Sequence, residues 1–132
     1  MQEHEVRALL EQRFLAMDPD LEYEGRTADY MSEFPQSGER FDRDGLRRLQ
    51  QQGYEAAGAA PRLELRRVWG AGDHWVSEGV IRYADGTVMF GVALIEFRED
   101  KIARDIRYFC EPFEVPSWRA DWSRPATEPV AG

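Results

Sequence analysis

The sequence is poor in the residues that bind metals or cross-link chains: among 132 residues it has one cysteine, Cys110, and two histidines, His4 and His74. A single cysteine excludes an intramolecular disulfide. A metal site needs three or four ligands at suitable spacing, whereas these three are scattered with no His-x-His or Cys-x-x-Cys pair, so no metal is expected. Gly70-Ala71-Gly72 lacks the third glycine and the following helix of a phosphate cradle, so no nucleotide or other cofactor is expected. Lysine is almost absent, Lys101 being the sole one among 17 basic residues, and 25 acidic residues bring the net charge to −8. That balance, without a basic stripe, repels phosphate backbones and argues against nucleic acid as a partner. No apolar run approaches the ~20 residues that cross a bilayer. The acidic opening Met1-Gln2-Glu3-His4-Glu5 also lacks the charged and apolar regions of a secretory signal, so the expectation is a cytoplasmic protein away from membranes.

What the sequence has is aromatic and aliphatic area: seven Phe, five Tyr and four Trp, within 42% hydrophobic residues. A chain of this size buries roughly two-thirds of its unfolded surface and holds a core unaided. One domain over residues 1–122 is expected, followed by a disordered tail over 123–132, whose Arg-Pro-Ala-Thr-Glu-Pro run has little to bury.

Val6, Leu9, Leu10, Phe14 and Met17 recur at three- and four-residue spacing and predict a helix over residues 3–17. Asp18-Pro19 ends it and caps a short helical piece over 20–27. Tyr30-Met31-Ser32-Glu33-Phe34 alternates as a short strand up to Pro35, and Gln36-Ser37-Gly38-Glu39 reads as a turn. Asp42 or Asp44 caps a further helix running to about Tyr54. After Pro61 the period changes to two, with strands over 63–69, 74–83, 87–98 and Lys101–Cys110 joined by hairpin-sized turns. Helices followed by a four-stranded meander make an α+β domain, a cone-shaped curved antiparallel sheet with the N-terminal helices packed in its concave face. The strand Val88-Met89-Phe90-Gly91-Val92-Ala93-Leu94-Ile95-Glu96-Phe97 is apolar on both parities. Neither face of the sheet is then fully wet, and the convex face is expected to meet another copy in a homodimer.

Several strings resemble the nuclear transport factor 2-like superfamily, and within it the SnoaL-like, polyketide-cyclase-like branch. They are Gln12-Arg13-Phe14-Leu15-Ala16-Met17 at the end of the first helix, Phe34-Pro35-Gln36-Ser37-Gly38-Glu39, Leu94-Ile95-Glu96-Phe97-Arg98 with Asp100-Lys101-Ile102, and Arg107-Tyr108-Phe109-Cys110-Glu111-Pro112. The resemblance spans residues 3–122 and implies a cystatin-like α+β barrel with one cavity, which in that superfamily serves isomerases, cyclases, hydratases, epoxide hydrolases and non-catalytic binders. Ketosteroid isomerase-like members use a tyrosine, a base and a neutral aspartic acid where the resemblance places Phe14, Phe34 and Ile95, none of which moves a proton. Limonene epoxide hydrolase-like members end their last strand with an aspartate where this chain has Cys110.

Polar groups on otherwise apolar strand faces are the local clue to a site, because a buried charge costs several kcal/mol unless it is paired or used. On the Val76–Val80 parity lie His74, Glu78 and Arg82; Glu96 ends the face of Val88, Phe90, Val92 and Leu94; Arg104 and Tyr108 share the Ile102–Ile106 parity. If those faces line the cone, Glu78 or Glu96 serves as base, Arg104 steadies an anion and Tyr108, or Tyr30, donates a proton. The alternative is that these charges form cross-strand ion pairs near a rim or a dimer contact. Phe14, Tyr30, Phe34, Trp69, His74 and Phe90 are the candidate ligand contacts; His74 is either a general base at the cavity mouth or a hairpin residue in water, and Cys110 either a nucleophile approached by His74 or a small buried hydrophobe. Phe113, Trp118 and Trp122 follow between prolines, and at ~25 cal/mol per Å² their burial is worth several kcal/mol each, so this segment is expected to dock as a lid or as a strap on the convex sheet and a partner. The function expected is binding of a small hydrophobic or carbonyl-bearing molecule in an apolar cone. The alternatives are an isomerase- or cyclase-type enzyme transferring protons on a polyketide- or steroid-like substrate, and a non-catalytic dimeric interaction module with a filled cavity.

Overall fold

The computed structural model describes residues 1–125, so the expected tail, from residue 126 on, lies outside the described residues. The elements are α1 (Glu3–Arg13), α2 (Pro19–Glu24), β1 (Arg26–Phe34), β2 (Glu39–Asp42), α3 (Arg43–Ala57), β3 (Arg62–Ala71), β4 (His74–Arg82), β5 (Val88–Arg98) and β6 (Lys101–Cys110), with a short 3-10 helix at Ser117–Trp122.

The helices start where their caps stand. The Asp18 side chain accepts from the backbone N–H of Asp20 and Leu21, with Pro19 in the first turn of α2, and Asp42 accepts from Gly45 N at 2.7 Å to start α3. Gly58, at φ 80°, takes the left-handed turn that ends α3. The first helix stops at Arg13, four residues short of the expected end, because Met17 adopts φ 52° ahead of Asp18-Pro19.

The meander of β3 to β6 forms as expected, but the sheet has six strands in the order β2-β1-β6-β5-β4-β3. Residues 39–42, expected to follow a turn into a helix, form edge strand β2 antiparallel to β1. The sheet is also mixed: β1 lies parallel to β6, with Met31, Ser32 and Glu33 beside Arg104, Asp105 and Ile106. It remains an open, curved α+β sheet with the helices on one face. Val6, Leu10 and Phe14 of the N-terminal segment and Leu46 of α3 pack against Tyr30, Val68, Trp75, Ile95, Phe97 and Ile102 of the sheet to make the core.

Register sorts the side chains between the two faces, since alternate residues of a strand point to opposite sides. The inner, helix-covered face holds Ser32 and Phe34 of β1, Trp75 to Ile81 in steps of two on β4, Gly91 to Phe97 likewise on β5, and Asp105, Arg107 and Phe109 of β6. The outer face holds Val76, Glu78, Val80, Phe90, Val92, Leu94, Glu96, Arg104, Ile106 and Tyr108.

Candidate functional site

Between the helices and the inner face lies a cavity of about 330 Å³, bordered by Leu10, Phe14, Phe34, Leu46, Leu63, Ile81 and Ile95 among others. The hollow exists because the middle of the inner face is made of small residues: Gly79 faces Gly91 and Ser77 faces Ala93 across the β4–β5 ladder. Gly79 has a second constraint, as a Cβ there would lie 2.5 Å from the Glu64 carbonyl oxygen, which the bulge at residues 65–67 brings close.

Two polar clusters meet this apolar space. Asp105, buried on β6, accepts hydrogen bonds from the Tyr30 and Ser32 hydroxyls of β1. Arg107, two residues along, closes a fork on the same carboxylate, Nε to Oδ1 and Nη2 to Oδ2 at 3.2 Å each. Burial by itself would raise the Asp105 pKa; the Arg107 charge and the donors outweigh it and hold the group below the ordinary carboxylate range. Burial likewise pushes the Tyr30 phenol up to about 12, so it stays a donor. Asp105 is therefore an ionised, fully engaged anchor. Among the described residues the hydrogen bonds of Arg107 run through Nε and Nη2, which leaves Nη1 to an incoming oxygen from the cavity that this residue borders.

The second cluster is Glu22 on α2, buried at the cavity edge. Its Oε1 accepts from Arg26 Nη2 at 3.4 Å and from Gln50 Nε2 at 3.2 Å, while Oε2 is buried without a partner among the described residues. Burial raises the Glu22 pKa despite the opposing pull of Arg107 and Arg26. Arg26 is completely buried, with its guanidinium 5.1 Å from the Tyr30 ring centre and its Nε and Nη1 without a hydrogen-bond partner among the described residues. A carboxyl group with enhanced proton affinity and a free oxygen beside a cavity is suited to give or take a proton.

The raised Glu22 pKa fixes a sign. The folded state holds this proton more tightly than the unfolded chain, so the Glu22 contribution to stability falls as pH rises from the ordinary value of 4.5 through the folded pKa. Glu22→Gln is expected to remove that decline, flattening stability against pH above 4.5 in urea denaturation at a series of pH values. An unchanged slope would show that Glu22 is not the titrating group.

The structure separates the residues expected from sequence. Phe14 and Phe34 border the cavity, as does Tyr108, which is 37% exposed and on the outer-face parity; Tyr30 lies beneath it, tied to Asp105. Glu78, Glu96, Arg104, His74, Trp69 and Phe90 do not line the cone and belong to the outer face. There His74 Nε2 lies 3.3 Å from Glu96 Oε1, Arg104 Nε lies 4.0 Å from Glu96 Oε2, and Arg66 Nη1 lies 3.8 Å from Glu78 Oε1. One cause is a bulge: Phe97 pairs with Ile102 but Glu96 with Arg104, so Ala103 is an extra residue and the parity of β6 inverts after it. The other is that the outer residues Val76 and Val80 are more apolar than the inner Ser77 and Gly79, which points the β4 periodicity the wrong way. Cys110 is exposed, not buried.

Glu22, Arg26, Asp105 and Arg107 were missed, although Asp105 and Arg107 share one strand parity with Phe109 and Glu22 and Arg26 are four residues apart. Among the described residues no helix is long and apolar enough to cross a membrane, and no group of three or more His, Cys, Asp or Glu could hold a metal ion.

No family model and no curated protein matches the sequence. Solved structures do. A candidate ketosteroid isomerase from Kribbella flavida DSM 17836 is 18% identical, with a TM-score of 0.75 over 98% of this chain and 96% of that one. IdmH, a candidate polyketide cyclase from Streptomyces antibioticus, is 16% identical, with a TM-score of 0.69 over 83% of this chain and 92% of that one. At these identities the likeness is one of fold. An NTF-2 like protein of unknown function from Burkholderia xenovorans LB400 is 34% identical, with a TM-score of 0.79 over 96% of this chain and 98% of that one. With that identity along almost the whole of both chains, and with the open curved sheet closed by helices over a hollow, the chain belongs to the nuclear transport factor 2-like superfamily.

Proposed function

We propose that this protein binds a small apolar molecule carrying a carbonyl or carboxylate group, in the manner of the SnoaL-like branch, and that it works as a homodimer joined through the outer sheet face. The observation that carries the ligand reading is Arg107: a guanidinium locked on Asp105 through two of its nitrogens, bordering a cavity whose other walls are mostly hydrocarbon. Such a site rewards a ligand with one oxygen-rich end and one oily end. Glu22, with its unpartnered Oε2, supports a catalytic version in which the bound carbonyl compound exchanges a proton. Glu78 and Glu96, on the far face, have no part in it. The dimer reading is supported by the apolar outer face, where Trp69 and Leu94 are exposed.

The test is thermal stabilisation by a panel of alicyclic and aromatic carboxylates beside their methyl esters. The carboxylates are expected to raise Tm, and Arg107→Gln to weaken them by ~10- to 100-fold, the range of a hydrogen bond to a charged group, with little effect on the esters. Ala93→Phe, which places a ring in the hollow, is expected to abolish binding of both classes. A panel that stabilises wild type and Ala93→Phe alike would sink the reading.

A further inference from the structure

The aromatic segment after β6 does not dock on its own chain as expected from sequence: Phe113, Trp118 and Trp122 are 79%, 70% and 80% exposed and do not border the cavity. It forms no lid here, so what the cavity selects is set by the cavity's own walls. One wall is α3, whose Leu46, Gln50 and Tyr54 follow at four-residue spacing, share one side of the helix and border the hollow. The stripe begins as hydrocarbon and then turns polar. Gln50 donates from Nε2 to Glu22 Oε1 at 3.2 Å, which ties these two side chains into one corner of the cavity.

The corner is short of donors. Glu22 Oε2 and Gln50 Oε1 are both buried without a hydrogen-bond partner among the described residues. An acceptor left unbonded in that position suffers its desolvation without compensation. The Tyr54 hydroxyl, one turn along α3 from Gln50, also makes no hydrogen bond among the described residues. Burial, and after it the Glu22 charge, push the Tyr54 phenol up, so it stays protonated and able to donate.

These open positions discriminate between ligand groups. A carbonyl or ether oxygen accepts from Tyr54 but offers nothing to the two bare oxygens. An ammonium would donate to them, yet Arg26 Nη2 lies 3.4 Å from Glu22 Oε1 and Arg107 borders the same cavity, so another cation is opposed. A hydroxyl is neutral and both donates and accepts. It also suits either protonation state of Glu22. It donates to Oε2 when the carboxyl is ionised; when the carboxyl is protonated, it accepts from Glu22 and turns its own hydrogen to Gln50 Oε1.

We infer that the corner formed by Glu22, Gln50 and Tyr54 is a hydroxyl subsite, and that the ligand is a small alicyclic or aromatic hydroxy acid with its carboxylate on Arg107 and its hydroxyl in this corner. This deepens the ligand reading proposed above and rests on it.

The test is calorimetric titration of the full chain with cyclohexanecarboxylate, its 3- and 4-hydroxy derivatives, and the matching methyl ethers and amines, using wild type, Gln50→Leu and Tyr54→Phe. At least one hydroxy acid is expected to bind wild type ~10-fold or more tighter than the parent acid, with no such gain for its ether or amine, and each variant is expected to bring that ratio to about 1. The ratio isolates the corner, since impaired folding or a weakened Arg107 contact moves both ligands together. Hydroxy acids no tighter than the parent, a gain shared by the ether or the amine, or a gain that survives either variant would overturn the subsite while leaving the Arg107 reading standing. Failure of the parent acid and of every derivative to bind wild type would remove both.

Discussion

Asp105→Leu is expected to lower the free energy of unfolding by about 3–5 kcal/mol, the cost of removing one partner from a buried ion pair. The carboxylate accepts from Tyr30, Ser32 and both arms of the Arg107 fork. Leucine leaves two hydroxyls and a guanidinium without their acceptor. Tyr30→Phe removes a single donor and is expected to cost about 1 kcal/mol. The two differ in pH dependence as well. The Asp105 pKa is depressed in the folded state, so its contribution is complete above the ordinary value of 3.8 and is lost as pH falls through the folded pKa. The leucine variant is expected to lack that part of acid unfolding, and urea denaturation at neutral and acid pH reads both effects. A cost under about 1 kcal/mol would mean that the network is bypassed by water.

The second large effect is asymmetric. Glu22 and Arg26 form a buried pair at 3.4 Å in which each partner keeps an unsatisfied atom. Glu22→Leu strands a guanidinium that cannot neutralise itself, and about 3–5 kcal/mol is expected to be lost. Arg26→Met is expected to cost less, because Glu22, with its pKa already raised by burial, can take up a proton. The double variant Glu22→Leu, Arg26→Met is expected to lie near wild type or above it, since burying a pair costs desolvation that hydrocarbon does not. A double-mutant cycle by chemical denaturation gives the coupling, and additive costs would refute the pairing.

The contrast between these residues and those chosen from sequence shows what a sequence exposes. Asp18 and Asp42 were legible as caps because a cap acts over three residues, and the β3–β6 meander because its strands are consecutive and its turns are rich in glycine and acids. Edge strand β2 was hidden by its composition, three charged residues in four, which is how an exposed edge is kept from pairing further. The face of each strand was hidden by the bulge at Ala103 and by an outer surface as oily as the inner one. The polar anchor was hidden by distance: Tyr30 and Asp105 are 75 residues apart, and neither is unusual until β1 is laid parallel to β6.

That parallel pairing also constrains how the molecule is made. Ribosomal synthesis delivers β1 first and β6 last of the six strands, so until β6 emerges β1 has only the short β2 as a sheet neighbour. Such a high contact order predicts slow closure, on the millisecond-to-second scale of other non-local β topologies. During that wait Tyr30 and Ser32 remain hydrated, and the hollow acquires its charged wall only when the final strand arrives.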